Sequence, residues 1–403
     1  MSRPVLEVGD VFRAHGSAYL ERSGSSCSAG QRRVLSRLAD CRTAALGGHI
    51  EQCDSCSYQR IAYNSCRDRH CPKCQGAASR EWLDQRASEL LDVEYFHVVF
   101  TVPQSLAPLA LQNPREFYGL LFRATAETLL TIAADPRHLG AQIGFLAVLH
   151  TWGQNLHHHP HLHCVIPGGG ISLDGSHWIA CRNGFFLPVR VLSRLFRHKF
   201  LRGLEQAFRK GTLSFSGRLA PQGTPAGFAA LLRAARKTEW VVYAKPPFGG
   251  PAQVLKYLAR YTHRVAIANS RLHQLHEGAV TFGWKDYAHE QAQRELTLDA
   301  HEFIRRFLLH VLPKGFVRMR HFGFLANRHR QEHIRQCRAL LQKNRASSEI
   351  SPSSTSVRLR VKEKELAPCP LCHLGTLRRG APVAPQGQAA APLVCLVRAA
   401  NSS

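Results

Sequence analysis

Five histidines stand close together in this sequence, and their spacing is suited to binding a metal ion. The run HHHPHLHCVI contains His157, His158, His159, His161 and His163, and its proline ends any helix there. Side chains two positions apart in a strand point to the same face, so His161 and His163 would present two imidazoles together. Two histidines leave coordination positions for substrate oxygens, which is typical of a catalytic metal site. The competing interpretation is a polar loop with one or two buried histidines.

Two tyrosines could provide the nucleophile that such a metal ion would assist. Tyr257 and Tyr261 are four residues apart, which places them on one face of a predicted helix. Lys256, Arg260 and Arg264 surround them with positive charge, as a bound phosphodiester would require. A phenol with its ordinary pKa of about 10 is a poor nucleophile, so it needs a metal on the phosphate and nearby cations. The same spacing is also typical of a helix packed in a core.

Two Cys-x-x-Cys pairs near the N-terminus predict a structural zinc site. The ligand set predicted from their spacing is Cys53, Cys56, Cys71 and Cys74. Four thiolates complete a tetrahedral zinc shell and leave no open position, so the site would be structural and not catalytic. Free thiols without a metal are the alternative.

Other donors leave the ligand assignment open. Cys66 and His70 lie between the two pairs and could replace a member of the set, and Cys41 with His49 could hold a second ion. The pair Cys369 and Cys372 repeats half of the pattern near the C-terminus, with His373 and Cys395 as donors that could complete it.

The charge balance predicts a polyanionic partner. The chain has 403 residues, with 53 lysines and arginines against 28 aspartates and glutamates, for a net charge of +25. Nucleic acid is the first candidate and an anionic membrane surface the second. No stretch is suited to crossing a membrane or to secretion, so we expect a cytoplasmic protein whose cysteines bind metal and do not form disulfides.

Basic residues near two predicted sites could contact that nucleic acid. Arg318 and Arg320 lie among phenylalanines 316, 322 and 324, and cations interleaved with rings suit a single-strand channel. The alternative is a charged helix beside a core strand. The cysteine-rich segment adds cations that would lie against nucleic acid or form a solvated face: Arg60, Arg67, Arg69 and Lys73.

The elements that must position these residues alternate irregularly between strands and helices. β-branched and aromatic runs predict strands at 94–102, 143–150, 161–166, 239–245, 278–284 and 316–322. Helical spacing occurs at 115–134, 189–210, 225–237, 251–262 and 299–311. This order favours an α+β fold with a largely antiparallel central sheet flanked by helices.

Five motifs in order resemble the IS91 family of transposases, which belongs to the HUH endonuclease superfamily. They are NSCRDRHCPKCQ, VLHTWGQ, HPHLHCVIPGGG, YLARYTHRVAI and LPKGFVRMRHFGFLA. The resemblance covers residues from about 40 to 330. It implies that His161 and His163 bind catalytic Mg²⁺ or Mn²⁺, and that Tyr257 and Tyr261 are paired nucleophiles. A third metal ligand is expected, with Gln154, His157 and His150 as unranked candidates.

The resemblance also implies a reaction and partners. A tyrosine would attack single-stranded DNA at the ends of an insertion sequence, leaving a 5′-phosphotyrosine and a free 3′-OH, and the element would move by a rolling-circle route. The GxxxxGK[ST] signature of an ATPase is absent from the sequence, so a host helicase or DNA replication would supply the single strand. A plasmid replication initiator or relaxase of HUH type, a non-catalytic zinc DNA-binding regulator and a zinc hydrolase remain alternatives.

The expected organisation has four parts. They are an N-terminal helical segment at 1–39, a zinc-binding module at 40–85, an HUH-type nuclease domain at 86–345 and a flexible basic tail at 346–403.

Overall fold

A computed structural model describes residues 6–23, 26–248, 265–286, 292–346 and 367–386. Its helices are α1 (Val8–Ser23), α2 (Ala29–Asp40), α3 (Pro72–Ala87), α4 (Ala107–Gln112), α5 (Pro114–Ala134), α6 (Val189–Arg209), α7 (Pro225–Lys237), α8 (Ala300–Leu308) and α9 (Arg330–Ala346). Its strands begin with β1 (Gly48–Cys53), β2 (Gln59–Tyr63), β3 (Tyr95–Thr101), β4 (Ala141–Gln142), β5 (Gly144–Trp152), β6 (His158–Pro167) and β7 (Gly169–Ser172). The later strands are β8 (Trp178–Ala180), β9 (Val242–Phe248), β10 (Leu272–His276), β11 (Ala279–Asp286), β12 (Ala292–Asp299), β13 (Met319–Gly323) and β14 (Leu377–Val383).

The central sheet has five strands in the order β13-β5-β6-β3-β9, and each of its pairings is antiparallel. Strand β5 is buried along its whole length, as its apolar run GFLAVLHTW requires. The predicted α+β class with a largely antiparallel central sheet is confirmed.

Helices α4 to α7 cover one face of this sheet and form the main hydrophobic core with it. Phe100 of β3 and Leu162 of β6 point into this core, where they meet Phe117 of α5 and Phe196 of α6. The opposite face carries a smaller apolar group that packs against α3 through Trp82. The two faces therefore differ, and the face under α3 is less completely covered by helices.

Replacing Phe200 by alanine is expected to lower the free energy of unfolding by about 3–5 kcal/mol, because it opens a cavity between α5 and α6. The Phe200 ring is fully buried, and its centroid lies 5.1 Å from that of Phe117 and 5.5 Å from that of Trp240. Denaturant unfolding of both proteins measures the difference. Phe185→Ala is the matched control, since that ring is 49% exposed and its loss should cost less than about 0.5 kcal/mol.

Three smaller sheets accompany the central one. Strands β10-β11-β12 pack with α1, α2 and α8 in a second core, and β4-β7-β8 lie beside α9. The third small sheet has the order β14-β1-β2, so it joins the two ends of the described chain. Residues 367–386, which the sequence assigns to a flexible tail, therefore include a strand paired with the N-terminal module. No helix of the described segments combines the length and apolar character needed to span a membrane.

The predicted elements differ from the structure mainly at their ends. The strand predicted at 316–322 begins only at Met319, because Gly315 has a positive φ of 73° in a turn closed by a hydrogen bond from Phe316 N to Pro313 O. The strand predicted at 239–245 runs from Val242 to Phe248. The helix predicted at 251–262 lies outside the described residues.

Candidate functional site

A cluster of three histidines lies on two neighbouring strands of the central sheet. Antiparallel pairing of β5 with β6 sets His150 opposite His161 and Val148 opposite His163. Side chains alternate between the two faces, so all three histidines lie on the face away from α5 and α6. The donor nitrogens of His150, His161 and His163 all lie within 4.8 Å of one another. We refer to these residues as the histidine cluster.

Hydrogen bonds orient two of these rings toward a common point. His161 Nδ1 donates to the carbonyl oxygen of His159 at 2.7 Å, an arrangement that in a neutral ring leaves Nε2 unprotonated. His163 Nδ1 is hydrogen-bonded to His97 Nε2 at 2.8 Å, which leaves its Nε2 facing His161. The two Nε2 atoms are 3.0 Å apart. Both rings therefore direct a nitrogen lone pair to the same space.

This spacing fits two neighbouring ligands of a divalent ion. Metal–nitrogen bonds of about 2.1 Å at right angles separate the two nitrogens by about 3.0 Å, as in an octahedral shell. His150 supplies a third donor, and three protein ligands leave positions for substrate oxygens. Of the three candidate third ligands, the structure brings only His150 into the cluster. Gln154 and His157 lie in the turn between β5 and β6, and His157 is exposed.

His97 is a functional candidate that the sequence did not indicate. It is fully buried on β3, and its ring stacks on that of His163 with centroids 5.0 Å apart. Burial, with lesser contributions from Lys245 and His161, lowers the pKa of His97 to about 3. A neutral His97 can accept a hydrogen bond from His163 Nδ1 and so hold that ring in place. The available signal was a histidine inside the otherwise apolar or aromatic run YFHVVF.

His158 belongs to the same run of histidines but has different surroundings. His158 points to the opposite face, where its Nε2 lies 2.9 Å from the hydroxyl of Tyr118 and its ring stacks on His310. Burial lowers the pKa of His158 to about 4 and that of His310 to about 3. These rings are therefore neutral members of the packed interior.

The helix predicted to carry the two nucleophiles is not part of the described chain. Tyr257 and Tyr261 lie outside the described residues, as do the three cations predicted to accompany them, Lys256, Arg260 and Arg264.

Of the other two predicted DNA-binding arginines, Arg318 is buried and Arg320 is half-buried with its guanidinium packed against phenylalanine rings. Arg318 is 9% exposed and donates to Gln75 Oε1 at 2.8 Å, and burial lowers its pKa to about 10. The Arg320 guanidinium lies 4.2 Å from the Phe122 ring centroid and 5.2 Å from that of Phe316. These contacts differ from the single-strand channel that the sequence predicted. Arg318 is buried just before β13, and the Arg320 guanidinium packs on the Phe122 ring of α5. Phe316 and Phe324 are each 4% exposed.

Four cysteines of the N-terminal module form a compact group, which we call the first cysteine cluster: Cys41, Cys66, Cys71 and Cys74. The sulfur of Cys74 lies 3.7 Å from the sulfur of Cys41 and 3.6 Å from that of Cys66. The sulfur of Cys71 lies 3.6 Å from that of Cys41. Tetrahedral zinc with Zn–S bonds of about 2.3 Å separates its sulfurs by about 3.8 Å, so this group fits zinc. Hydrogen bonds from the other three thiols lower the pKa of Cys74. His70 is not a member; its Nε2 accepts from Leu312 N.

The predicted set of four zinc ligands is divided between two clusters. Cys71 and Cys74 belong to the first cluster, whereas Cys53 and Cys56 join Cys369 and Cys372 in a second one. We call the group of Cys53, Cys56, Cys369 and Cys372 the second cysteine cluster. The physical reason lies in the strand pairing. Cys53 ends β1 and Cys56 lies in the turn that leads to β2, while the other edge of β1 pairs with β14 from the C-terminal segment. His373 and His49 are in neither cluster, and Cys395 lies outside the described residues.

Three of the four cations that the sequence predicted to lie against nucleic acid have partners within the protein. Arg69 donates to backbone oxygens in the segment 312–316, which attaches the module to the chain after α8. Lys73 forms a largely buried ion pair with Glu7, and Arg60 pairs with a glutamate on β1. Arg67 is exposed. Three of the four cations predicted to face nucleic acid therefore have partners within the protein, which reduces the predicted nucleic-acid face of the module.

Comparison with known proteins finds two family models and two relatives that match this chain. A family model described as "Putative transposase" matches residues 144–333, and one described as "Transposase zinc-binding domain" matches residues 11–102. The chain is 57% identical over 380 residues to "Putative transposase y4qJ" of Sinorhizobium fredii (strain NBRC 101917 / NGR234), covering 94% of this chain and 95% of that protein. It is 29% identical over 304 residues to the transposase for insertion sequence element IS801 of Pseudomonas savastanoi pv. phaseolicola, covering 73% and 70%. No solved structure matches the chain.

Proposed function

This chain belongs to the IS91 family of transposases, and we propose that it cleaves and rejoins single-stranded DNA at insertion-sequence ends through a 5′-phosphotyrosine intermediate, by rolling-circle transposition. The single observation that carries this proposal is the histidine cluster. Two imidazoles with converging Nε2 atoms 3.0 Å apart, and a third beside them, suit an open metal site in the segment that matches the transposase family.

In this proposal His150, His161 and His163 hold Mg²⁺ or Mn²⁺, with His97 fixing the orientation of His163. The ion would supply Lewis-acid polarisation of the scissile phosphate. The backbone oxygen of His159 keeps the proton of His161 on Nδ1, so that Nε2 remains a donor. Histidine is an unusual ligand for Mg²⁺, and Mn²⁺ is the better match to imidazole on softness grounds.

We assign the nucleophile to Tyr257 or Tyr261 on their spacing and on the family resemblance. The tyrosine oxygen forms a bond to phosphorus while the bond from phosphorus to the 3′ oxygen breaks. The phenol gives up its proton, and the leaving 3′ oxygen gains one to become a free 3′-OH. Because the phosphodiester energy is conserved in the phosphotyrosine, rejoining needs no nucleotide cofactor. Lys256, Arg260 and Arg264 would bind the DNA backbone, and a host helicase would provide the single strand.

The first cysteine cluster is, in this proposal, the structural zinc site of the transposase zinc-binding domain, since the match at 11–102 contains all four of its cysteines. The protein would act on DNA in the bacterial cytoplasm.

The test is a search for the covalent intermediate. The protein, its Tyr257→Phe and Tyr261→Phe variants and the double variant Tyr257→Phe/Tyr261→Phe are incubated with end-labelled single-stranded oligonucleotides from insertion-sequence ends and Mn²⁺. We expect a denaturation-resistant complex with the unaltered protein and its loss in at least one variant. A complex that persists in the double variant, or none in any protein that still binds the DNA, would contradict the proposal and favour a non-catalytic zinc regulator. Nicking and rejoining at one site, without transfer to a new one, would favour a replication initiator or relaxase.

A further inference from the structure

We propose that the second cysteine cluster holds its own structural zinc ion, and that this ion fastens the C-terminal segment 367–386 to the N-terminal module. Its ligands would be Cys53 and Cys56 from the β1–β2 hairpin and Cys369 and Cys372 from the segment before β14. The match to a transposase zinc-binding domain ends at residue 102, so half of this site lies far outside it.

The distances between the four sulfur atoms are those of a zinc shell. The sulfur of Cys53 lies 3.7 Å from that of Cys372, and the sulfur of Cys56 lies 3.7 Å from that of Cys369. A tetrahedral zinc shell puts its sulfurs about 3.8 Å apart, whereas a disulfide bond is about 2.05 Å long. All four donor atoms lie within 4.8 Å of one another. Four thiolates close the shell, so the site would be structural, without a position for substrate.

The backbone around the two pairs has the form that zinc ligands require. Ser55 N points to the sulfur of Cys53 at 3.3 Å, and Gly375 N points to the sulfur of Cys372 at 3.4 Å. Cys53 N donates to Tyr58 O, and correspondingly Cys369 N donates to Gly375 O. Each pair is thus a tight turn whose amides face sulfur. Such hydrogen bonds stabilise a thiolate, the form that binds a metal.

Glycine at position 375 is needed for the two turns to meet. A Cβ atom there would lie 2.5 Å from the Cys53 sulfur and 2.7 Å from Asp54 Oδ1, closer than atoms can pack. The same carboxylate accepts hydrogen bonds from Thr376 N at 2.8 Å and Arg378 Nε at 3.0 Å. The N-terminal and C-terminal turns are therefore fitted to each other around the sulfurs.

The sheet β14-β1-β2 buries too little apolar surface to be stable through apolar burial alone. Its apolar core contains three buried residues, of which two, Cys53 and Cys369, are cysteines of the cluster and the third is Leu377. Strand β14 is exposed at five of its seven positions, and β2 at four of five. Sheets with so little core need another source of stability, and a structural metal is a common one.

The consequence is a link between the two ends of the described chain. Cys56 and Cys369 are 313 positions apart, and the whole segment that matches the transposase family lies between them. A zinc ion at this place would close the chain into a loop around that segment. The C-terminal cysteine pair would then be a part of the N-terminal module and not of a separate tail.

The first experiment counts zinc ions in the full-length protein by native mass spectrometry and elemental analysis. We expect two zinc ions per chain in the unaltered protein, one in Cys369→Ser/Cys372→Ser, and two in Cys181→Ser, whose thiol is in neither cluster. An unaltered protein with one zinc ion supports the inference only if the double variant has none. A double variant that keeps the unaltered count overturns it, whether or not the first cluster binds zinc. Failure of the proposed DNA cleavage would leave these counts unchanged.

A second variant keeps all thiols and so separates metal binding from loss of ligands. Gly375→Val should speed the removal of one zinc ion by a chelator at least about tenfold, because its side chain would displace the Cys53 sulfur. Equal rates for the variant and the unaltered protein would contradict the fit around Gly375.

The fastening is tested from the opposite end of the chain. Amide hydrogen exchange of residues 367–386 is measured in Cys53→Ser/Cys56→Ser. We expect exchange there to accelerate at least about tenfold, although the altered residues are more than 300 positions away. Unchanged protection of the C-terminal segment would show that the sheet is held without the metal and would overturn the fastening role.

Discussion

Replacing His161 by alanine is expected to reduce the rate of metal-dependent DNA cleavage about a thousandfold. The Nε2 atom of His161 faces that of His163 at 3.0 Å, so its loss removes one of two converging ligands. Metal polarisation of a phosphate contributes several kcal/mol to the transition state, and about 4 kcal/mol corresponds to a thousandfold in rate. Single-turnover cleavage of a labelled oligonucleotide at saturating Mn²⁺ measures the change.

His157→Ala is the matched control for this experiment. It removes a histidine from the same run, but His157 is exposed and the structure does not bring it to the cluster. We expect its cleavage rate to stay within about twofold of the unaltered protein, and His150→Ala to resemble His161→Ala. His97→Phe should weaken metal affinity about 10- to 100-fold, as loss of an orienting partner does. If His161→Ala cleaved at a rate close to that of His157→Ala, the histidine cluster would not be the catalytic metal site.

Replacing both Cys71 and Cys74 by serine is expected to lower the free energy of unfolding of the N-terminal module by more than about 5 kcal/mol. Binding of structural zinc contributes roughly 10 kcal/mol or more to the folding of small zinc modules. Cys41 ends α2 and Cys71 precedes α3, so the first cysteine cluster joins two helices. Because Trp82 of α3 packs on the sheet face that carries the histidines, we also expect reduced cleavage.

Denaturant unfolding and hydrogen exchange of α2 and α3 measure this effect, and a strong chelator applied to the unaltered protein should reproduce it. Cys181→Ala is the control; that thiol is outside both clusters, and its removal should cost less than about 1 kcal/mol. Unfolding curves that coincide for the double serine variant and the control would mean that the first cysteine cluster does not stabilise the module through zinc.

Many elements of the described fold could be predicted from local sequence. The helices predicted at 115–134, 189–210 and 225–237 agree with α5, α6 and α7 to within a residue at each end. Periodic apolar spacing determines such helices, because burying one face requires the same residues wherever the helix packs. The order in which strands pair was not predictable in this way. Strand β13 lies beside β5, more than 150 residues earlier in the chain, through contacts that no local pattern records.

Local sequence predicted two members of the histidine cluster but not the other side chains around them. His161 and His163 share a strand, and alternation alone places their side chains on one face. His150 and His97 reach them from neighbouring strands, and their contribution depends on the antiparallel register of β5 and β3 with β6. A shift of one residue in either pairing would turn the partner histidine to the opposite face.

By itself, the sequence determined the chemistry available at the cysteine sites: two thiolates at Cys-x-x-Cys spacing can supply half of a zinc shell wherever a second pair meets them. Only the tertiary structure decided which pairs meet. Spacing favoured joining Cys53 and Cys56 to the nearby pair Cys71 and Cys74, whereas the fold brings them to a pair more than 300 residues away. The physical reason is that a turn of four residues is set by local backbone geometry, but its partner is selected by the strand that pairs with β1, and that strand comes from the C-terminal segment.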